Sequence, residues 1–171
     1  GEQLERHLEE QNYPAGVSVG RVRNEDWEKE NGLSVYRAKD LAGDRFILLM
    51  SDHIFDPEII TGLRQQTIEE DGLILAVDYR LADHPYVDLD DVTRVKVEEN
   101  RIVNIGKGLA AYNAFDTGIF YATKGLFEAL KESQKKANNF TLSGGVRVLA
   151  ARERARVMDI GNRFWIDVDD E

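Results

Sequence analysis

The chain has 171 residues, no cysteine, and 32 acidic against 22 basic residues, for a formal net charge of −10. With no Lys/Arg block to neutralise a run of phosphates, a nucleic-acid or anionic-membrane surface is disfavoured, and the missing thiols exclude disulfide frameworks, thiolate zinc sites and cysteine nucleophiles. The length suits one domain burying roughly two-thirds of its unfolded surface, while apolar runs of about five residues fall far short of the roughly 20 needed to span a bilayer and no signal-peptide pattern opens the chain.

The chain starts with GEQLERHLEEQ, where Leu4 and Leu8 lie at helical spacing among glutamates. An amphipathic helix is expected there, already under way at Gly1, with residues expected upstream of it. Residues 17–22 (VSVGRV) alternate like a strand, and Ser34 is placed as the N-cap of a helix over 35–41. A strand over 46–51 follows. Asp56-Pro57-Glu58 then reads as N-cap, N1 and N2 of a helix running toward Glu69, which makes a βαβ rhythm. Residues 73–79 (LILAVDY) form a buried strand, 83–91 a polar loop, and 93–98 with 102–105 a hairpin, so a mixed sheet is expected. A strand over 116–121, a helix over 123–136, a short helix after Ser143 and strands over 157–160 and 164–168 complete one α/β domain.

Open α/β sheets bind ligands beyond the carboxyl ends of their strands. Three predicted strands finish near an aspartate: Asp52 after FILLMS, Asp78 in LILAVDY, and Asp167 with Asp169 in WIDVDD. Hard cations such as Mg²⁺ take carboxylate oxygens and keep waters, so Asp52 with one of the terminal pair would suffice. An aspartate after a strand also caps turns, and an acidic tail also simply faces water; both readings stand at this point. His53, beside Asp52, is the one histidine placed to reach such a site, and the three histidines form no zinc motif. Asp88-Leu89-Asp90-Asp91 lacks EF-hand spacing and reads as a solvated loop. Gly106-Lys107-Gly108 lies outside any Walker frame and reads as a turn, although Lys107 could offer a point charge to a phosphate. No serine stands in a GxSxG elbow.

Seven stretches in one order carry a resemblance: NGLS at 31–34, LLMSDHIFDPEI at 48–59, VDLDDVTRV at 87–95, NIGKGL at 104–109, YNAFDTGIF at 112–120, TLSGGVRVLA at 141–150 and FWIDVDDE at 164–171. Together they resemble the nucleotidyltransferase family that makes activated sugar or polyol phosphates. DTGIF and IGK point to its CTP:inositol-1-phosphate cytidylyltransferase branch, which often precedes a membrane-embedded domain making di-inositol phosphate. The resemblance implies a GT-A-like fold with a three-layer, mixed and mostly parallel sheet. It also implies Mg²⁺-dependent nucleotidyl transfer from a nucleoside triphosphate, CTP for this branch, to inositol 1-phosphate or a similar sugar phosphate, with release of pyrophosphate, in the cytoplasm or at the inner membrane face.

Carried over by position, Asp52, Lys107 and Asp169 resemble the catalytic set. Asp52, Asp167 and Asp169 resemble metal ligands, Asn31, Gly32 and Ser34 a loop beside the nucleotide, and Asp116 with Thr117 and Gly118 the acceptor-binding group. The family's LAAGxGxRL loop and its Lys-Pro have no counterpart here, and DVDDE stands where the family has DVDTPED. A single domain over residues 1–171, lacking its amino-terminal glycine-rich part and full activity on its own, is therefore expected. A sugar-1-phosphate nucleotidyltransferase using UTP, GTP or dTTP, and a non-catalytic nucleotide-binding domain, are the alternatives.

Overall fold

A computed structural model describes residues 2–82, 84 and 87–168. The first helix, α1 (Glu2–Glu10), buries none of its residues. Residues 17–22 form no strand: the alternation is there, but Val17, Val19 and Val22 are exposed and no strand among the described residues pairs with them. Helix α2 (Asn31–Arg37) begins three residues before Ser34, so Ser34 lies inside it instead of capping it. Gly32 lets this helix dock closely. A Cβ there would lie 2.2 Å from the Phe140 carbonyl oxygen and 2.8 Å from Leu130 Cδ2, so the helix packs directly on backbone.

Strand β1 (Arg45–Leu49) leads through a turn at Ser51–Asp52 into the short β2 (His53–Phe55). Helix α3 (Glu58–Gln65) starts where expected, with Asp56 Oδ1 accepting the Glu58 N–H at 2.9 Å, but stops before Glu69. Strand β3 (Leu73–Asp78) is buried at every position. The hairpin of β4 (Arg94–Glu98) and β5 (Arg101–Gly106) turns through Glu99 and Asn100, both at positive φ. Then come the long β6 (Ala114–Thr123), helices α4 (Gly125–Ala137) and α5 (Leu142–Ala151), β7 (Ala155–Asp159) and β8 (Trp165–Asp167). Thr141, with its side chain accepting the Gly144 N–H, caps α5 one residue ahead of the helix. Among the described residues no helix is long and apolar enough to cross a membrane.

Six strands form one mixed sheet in the order β1-β6-β3-β7-β5-β4, and β4 also pairs with β6, closing a small barrel-like ring. The expectation of a mostly parallel sheet needs correction: β3–β7 is the single parallel pairing among the described residues. Both β1 and β3 run antiparallel to β6, so they share one direction, as the helical crossover α3 requires. β6 returns from the hairpin and inserts between them in reverse.

The alternation along β3 sends Leu73, Leu75 and Val77 to one face and Ile74 and Ala76 to the other. The first face packs under α4 and α5 with Leu126, Leu130, Val146 and Leu149. The second packs under α3 and β8 with Ile59, Leu63, Phe115, Ile119 and Trp165. Covering both faces makes the continuous apolar run of β3 stable.

Candidate active site

One edge of β6 changes partner part-way along its length. At its carboxyl end it pairs with β1 (Leu49↔Ile119 to Arg45↔Thr123) and at its amino end with β4 (Arg94↔Phe115), while β3 occupies the opposite edge. The break falls on Asp116-Thr117-Gly118, where the β3 register slips between Leu75 and Val77. These three residues build a bulge with its own hydrogen bonds: Gly118 N–H donates to Asp116 Oδ1 at 2.8 Å and Thr117 Oγ1 donates to the Ala76 carbonyl at 2.9 Å. Gly118 takes φ +71. Bulges of this kind re-aim side chains. The two strands that part here leave a cavity of about 220 Å³ between them, lined by Met50, Asp52 and His53 after β1, Val92 and Thr93 before β4, and Asp116, Gly118 and Phe120 from β6.

Asp52 and Asp167 meet at this cavity because β2 pairs antiparallel with β8 in the register His53↔Asp167, locked by Val168 N–H donating to the Asp52 carbonyl at 2.9 Å. Ligand atoms of Asp52, His53 and Asp167 all lie within 4.8 Å of one another. His53 Nδ1 is 2.9 Å from Asp52 Oδ1 and 3.4 Å from Asp167 Oδ1. Its ring is wedged against Gly118, where a Cβ would come within 2.7 Å of Cδ2 and Nε2. Two carboxylates beside an imidazole form a donor set able to hold a divalent cation. Asp169, the other expected ligand, lies outside the described residues.

Lys107 also reaches the cavity, with its ammonium on both oxygens of Asp91 at 2.6 and 2.7 Å. Asp116 lines the cavity half-buried, and desolvation pushes its carboxyl up to about 6 against the opposing Gly118 N–H and His53. Asn31 lines it too, its Oδ1 accepting the Leu142 N–H at 2.9 Å and so tying the start of α2 to that of α5. Gly32, Ser34 and Thr117 are not among the described lining residues. Gly32 is packed in the core, Ser34 is exposed with its hydroxyl accepting from Asn24 at 2.8 Å, and Thr117 is buried on Ala76. Asp78, at the end of β3, is turned into a buried network with Arg80, His84 and Trp165.

Two contributions escape the residue pattern. The acidic loop 88–91, expected to be merely solvated, supplies Asp88 and Asp91 to the cavity wall. Trp165 joins its floor, and the signal was present: residues two apart on a strand share a face, so Trp165 accompanies Asp167.

No family model matches the chain. It is similar to the bifunctional IPC transferase and DIPP synthase of Aquifex aeolicus, 38% identical over 162 residues that make up 95% of this chain and 34% of that protein. The protein of the same name from Archaeoglobus fulgidus is 32% identical over 90% of this chain and 29% of its own length. Among solved structures, the inositol-1-phosphate CTP transferase from T. maritima superimposes with a TM-score of 0.78 at 29% identity, covering 98% of this chain and 65% of that one. Over nearly its whole length the chain is similar to these transferases. It spans about a third of the length of the curated relatives it matches. A UDP-glucose pyrophosphorylase from Acinetobacter baumannii, at 17% identity and a TM-score of 0.67, shares the fold. In this chain the partner switch on β6 is where the sheet opens and the cavity forms.

Proposed function

We propose that this chain provides the cation-holding and acceptor-binding part of a Mg²⁺-dependent CTP:inositol-1-phosphate cytidylyltransferase with a GT-A-like sheet. The observation that carries the reading is the convergence of Asp52, Asp167, His53, Lys107 and Asp116 on one cavity at the strand switch. In the reaction a phosphate oxygen of inositol 1-phosphate forms a bond to the α-phosphorus of CTP, the bond from that phosphorus to the bridging oxygen breaks, and pyrophosphate leaves. Positioning and charge neutralisation supply the rate, since phosphoryl-type transfer asks little covalent chemistry of a protein. A phosphomonoester, with its second pKa near about 6, is already ionised at neutral pH and needs no strong base.

Asp52 and Asp167 would hold the cation, which suits oxygen donors and retains water. When bound, Mg²⁺ offsets charge on phosphate oxygens. His53 fixes the direction of the Asp52 carboxylate through Nδ1. Lys107 exchanges Asp91 for a phosphate, and Asp116 accepts hydrogen bonds from polyol hydroxyls across the bulge. CTP as donor places the reaction in the cytoplasm, and a membrane-embedded domain beyond this chain belongs to the same proposal.

The test is Mg²⁺-dependent pyrophosphate release with CTP, UTP, GTP and ATP against inositol 1-phosphate and glucose 1-phosphate. In the whole enzyme of which this chain is proposed to be a part, release with CTP and inositol 1-phosphate is expected, abolished by chelation and by Asp52→Asn without loss of fold. Undiminished turnover in Asp52→Asn, or equal release with UTP and glucose 1-phosphate, refutes the reading.

A further inference from the structure

Asp78 is fully buried at the end of β3, outside the cavity lining, yet it gathers more donors than its turn needs. The Arg80 backbone N–H donates to Oδ1 at 2.8 Å, and the Arg80 guanidinium grips both oxygens, with distances down to 2.7 Å. That pair alone satisfies the charge. In addition His84 Nε2 stands 3.0 Å from Oδ2, and Trp165 Nε1, 87 residues away in sequence, donates to the same oxygen at 2.7 Å. A bond to an ionised acceptor is shorter and stronger than one to a neutral acceptor, so it holds the indole in one orientation.

That orientation matters because of what lies on the ring. Trp165 stacks on His53 with centroids 6.1 Å apart and planes 23° from parallel, and His84 tilts against it at 5.7 Å. The edge of His53 abuts Gly118, and its Nδ1 reaches both Asp52 and Asp167. Arg80 reinforces the arrangement with its guanidinium, whose Nη2 donates to the Arg163 carbonyl at 2.8 Å just before β8 begins. A carboxylate at the end of the central strand is thus linked through one indole to an imidazole and through it to two cavity carboxylates.

We propose that Asp78 is a positioning residue: by fixing the Trp165 indole it sets the plane of His53 and thereby the aim of Asp52 and Asp167. The proposal rests on the reading of Asp52 and Asp167 as a cation site, and its test separates the two. Asp78→Asn, which keeps side-chain volume, and Trp165→Phe, which shortens the ring system, break the same bond from opposite ends. His53 ring resonances are recorded in the metal-free proteins by NMR, and Mn²⁺ affinity is measured by the paramagnetic resonance of the free ion.

Both variants are expected to shift the His53 signals and to weaken Mn²⁺ binding by about ten- to a hundred-fold, the usual effect of removing a group that orients a ligand. The double variant should be no weaker than the worse single one, because both delete one shared interaction. A purely structural Asp78 would give additive losses and His53 signals unmoved in Asp78→Asn, and that result overturns the proposal. If Asp78→Asn does not fold, the Mn²⁺ affinity of Trp165→Phe decides, and an affinity equal to wild type overturns the proposal. A wild-type protein that takes up no Mn²⁺ removes the cation reading, while the His53 signals still decide the role of Asp78.

Discussion

Gly118→Ala perturbs the bulge at its tightest point. Two effects act there: the left-handed backbone at φ +71 and the contact of a new methyl with His53 at 2.7 Å and Met50 Cγ at 2.8 Å. Gly108 separates them, since it has the same φ of +71 with nothing within 4 Å of its Cβ position. Gly108→Ala should therefore lose only the backbone part, about 1 kcal/mol after the loss of unfolded-state freedom is credited. Gly118→Ala should lose that plus an overpacking cost of about 1–3 kcal/mol. The total of about 2–4 kcal/mol corresponds to a melting temperature roughly 4–16 °C lower for a chain of this size. Equilibrium urea unfolding of both variants, at unchanged slope, gives the two losses directly. Equal losses in the two variants would refute the contact effect, because the His53 contact would then contribute nothing.

Three further outcomes follow from the same geometry. Burial holds the Asp116 carboxyl at about 6, above its usual value of about 3.9, so the folded state binds that proton more tightly; the stability this adds is fully present below pH of about 4 and is lost as pH rises through about 6. Asp116→Asn should accordingly gain on wild type across that window, by at most about 3 kcal/mol, in urea titrations at pH 4 and 7. Asp91→Asn releases Lys107 from an exposed ion pair worth up to about 1 kcal/mol. It should lower the KM for a phosphorylated acceptor by up to about fivefold at a stability cost of no more than about 1 kcal/mol, and a raised KM would show Asp91 to be a ligand of the acceptor instead. Gly32→Ala places a methyl 2.2 Å from the Phe140 carbonyl oxygen, so α2 must lift from α4 and α5; a loss of about 2 kcal/mol or more by thermal melting is expected, and a neutral result would refute the close packing.

The elements readable in the residues were those whose burial is settled locally. LILAVD is apolar on both faces and lies in the middle of the sheet, and the alternation around Glu99 and Asn100 is a hairpin. Residues 17–22 carry the same alternation, but pattern alone cannot supply a neighbouring strand. The direction of β6 was not legible either, because it depends on which edge the strand returns to after the hairpin, and side-chain periodicity is blind to that. At the cavity, Asp52, Asp167, Lys107 and Asp116 were named in advance from strand ends and from the family resemblance. Asp91 was missed because it meets Lys107 only once the hairpin folds back, and the Asp78–Trp165 bond because its partners are 87 residues apart.

The two-stranded ribbon of β2 and β8 has three residues on each side and joins segments separated by most of the chain. Such a ribbon is marginal alone, and long-range pairings of this kind close late in folding. Its amide hydrogens should thus exchange with solvent ahead of those in β3, through opening events that leave the central sheet intact. A ligand that bridges Asp52 and Asp167 closes the ribbon as a clasp, so slowed exchange at Ile54 and Ile166 would report occupancy without any turnover.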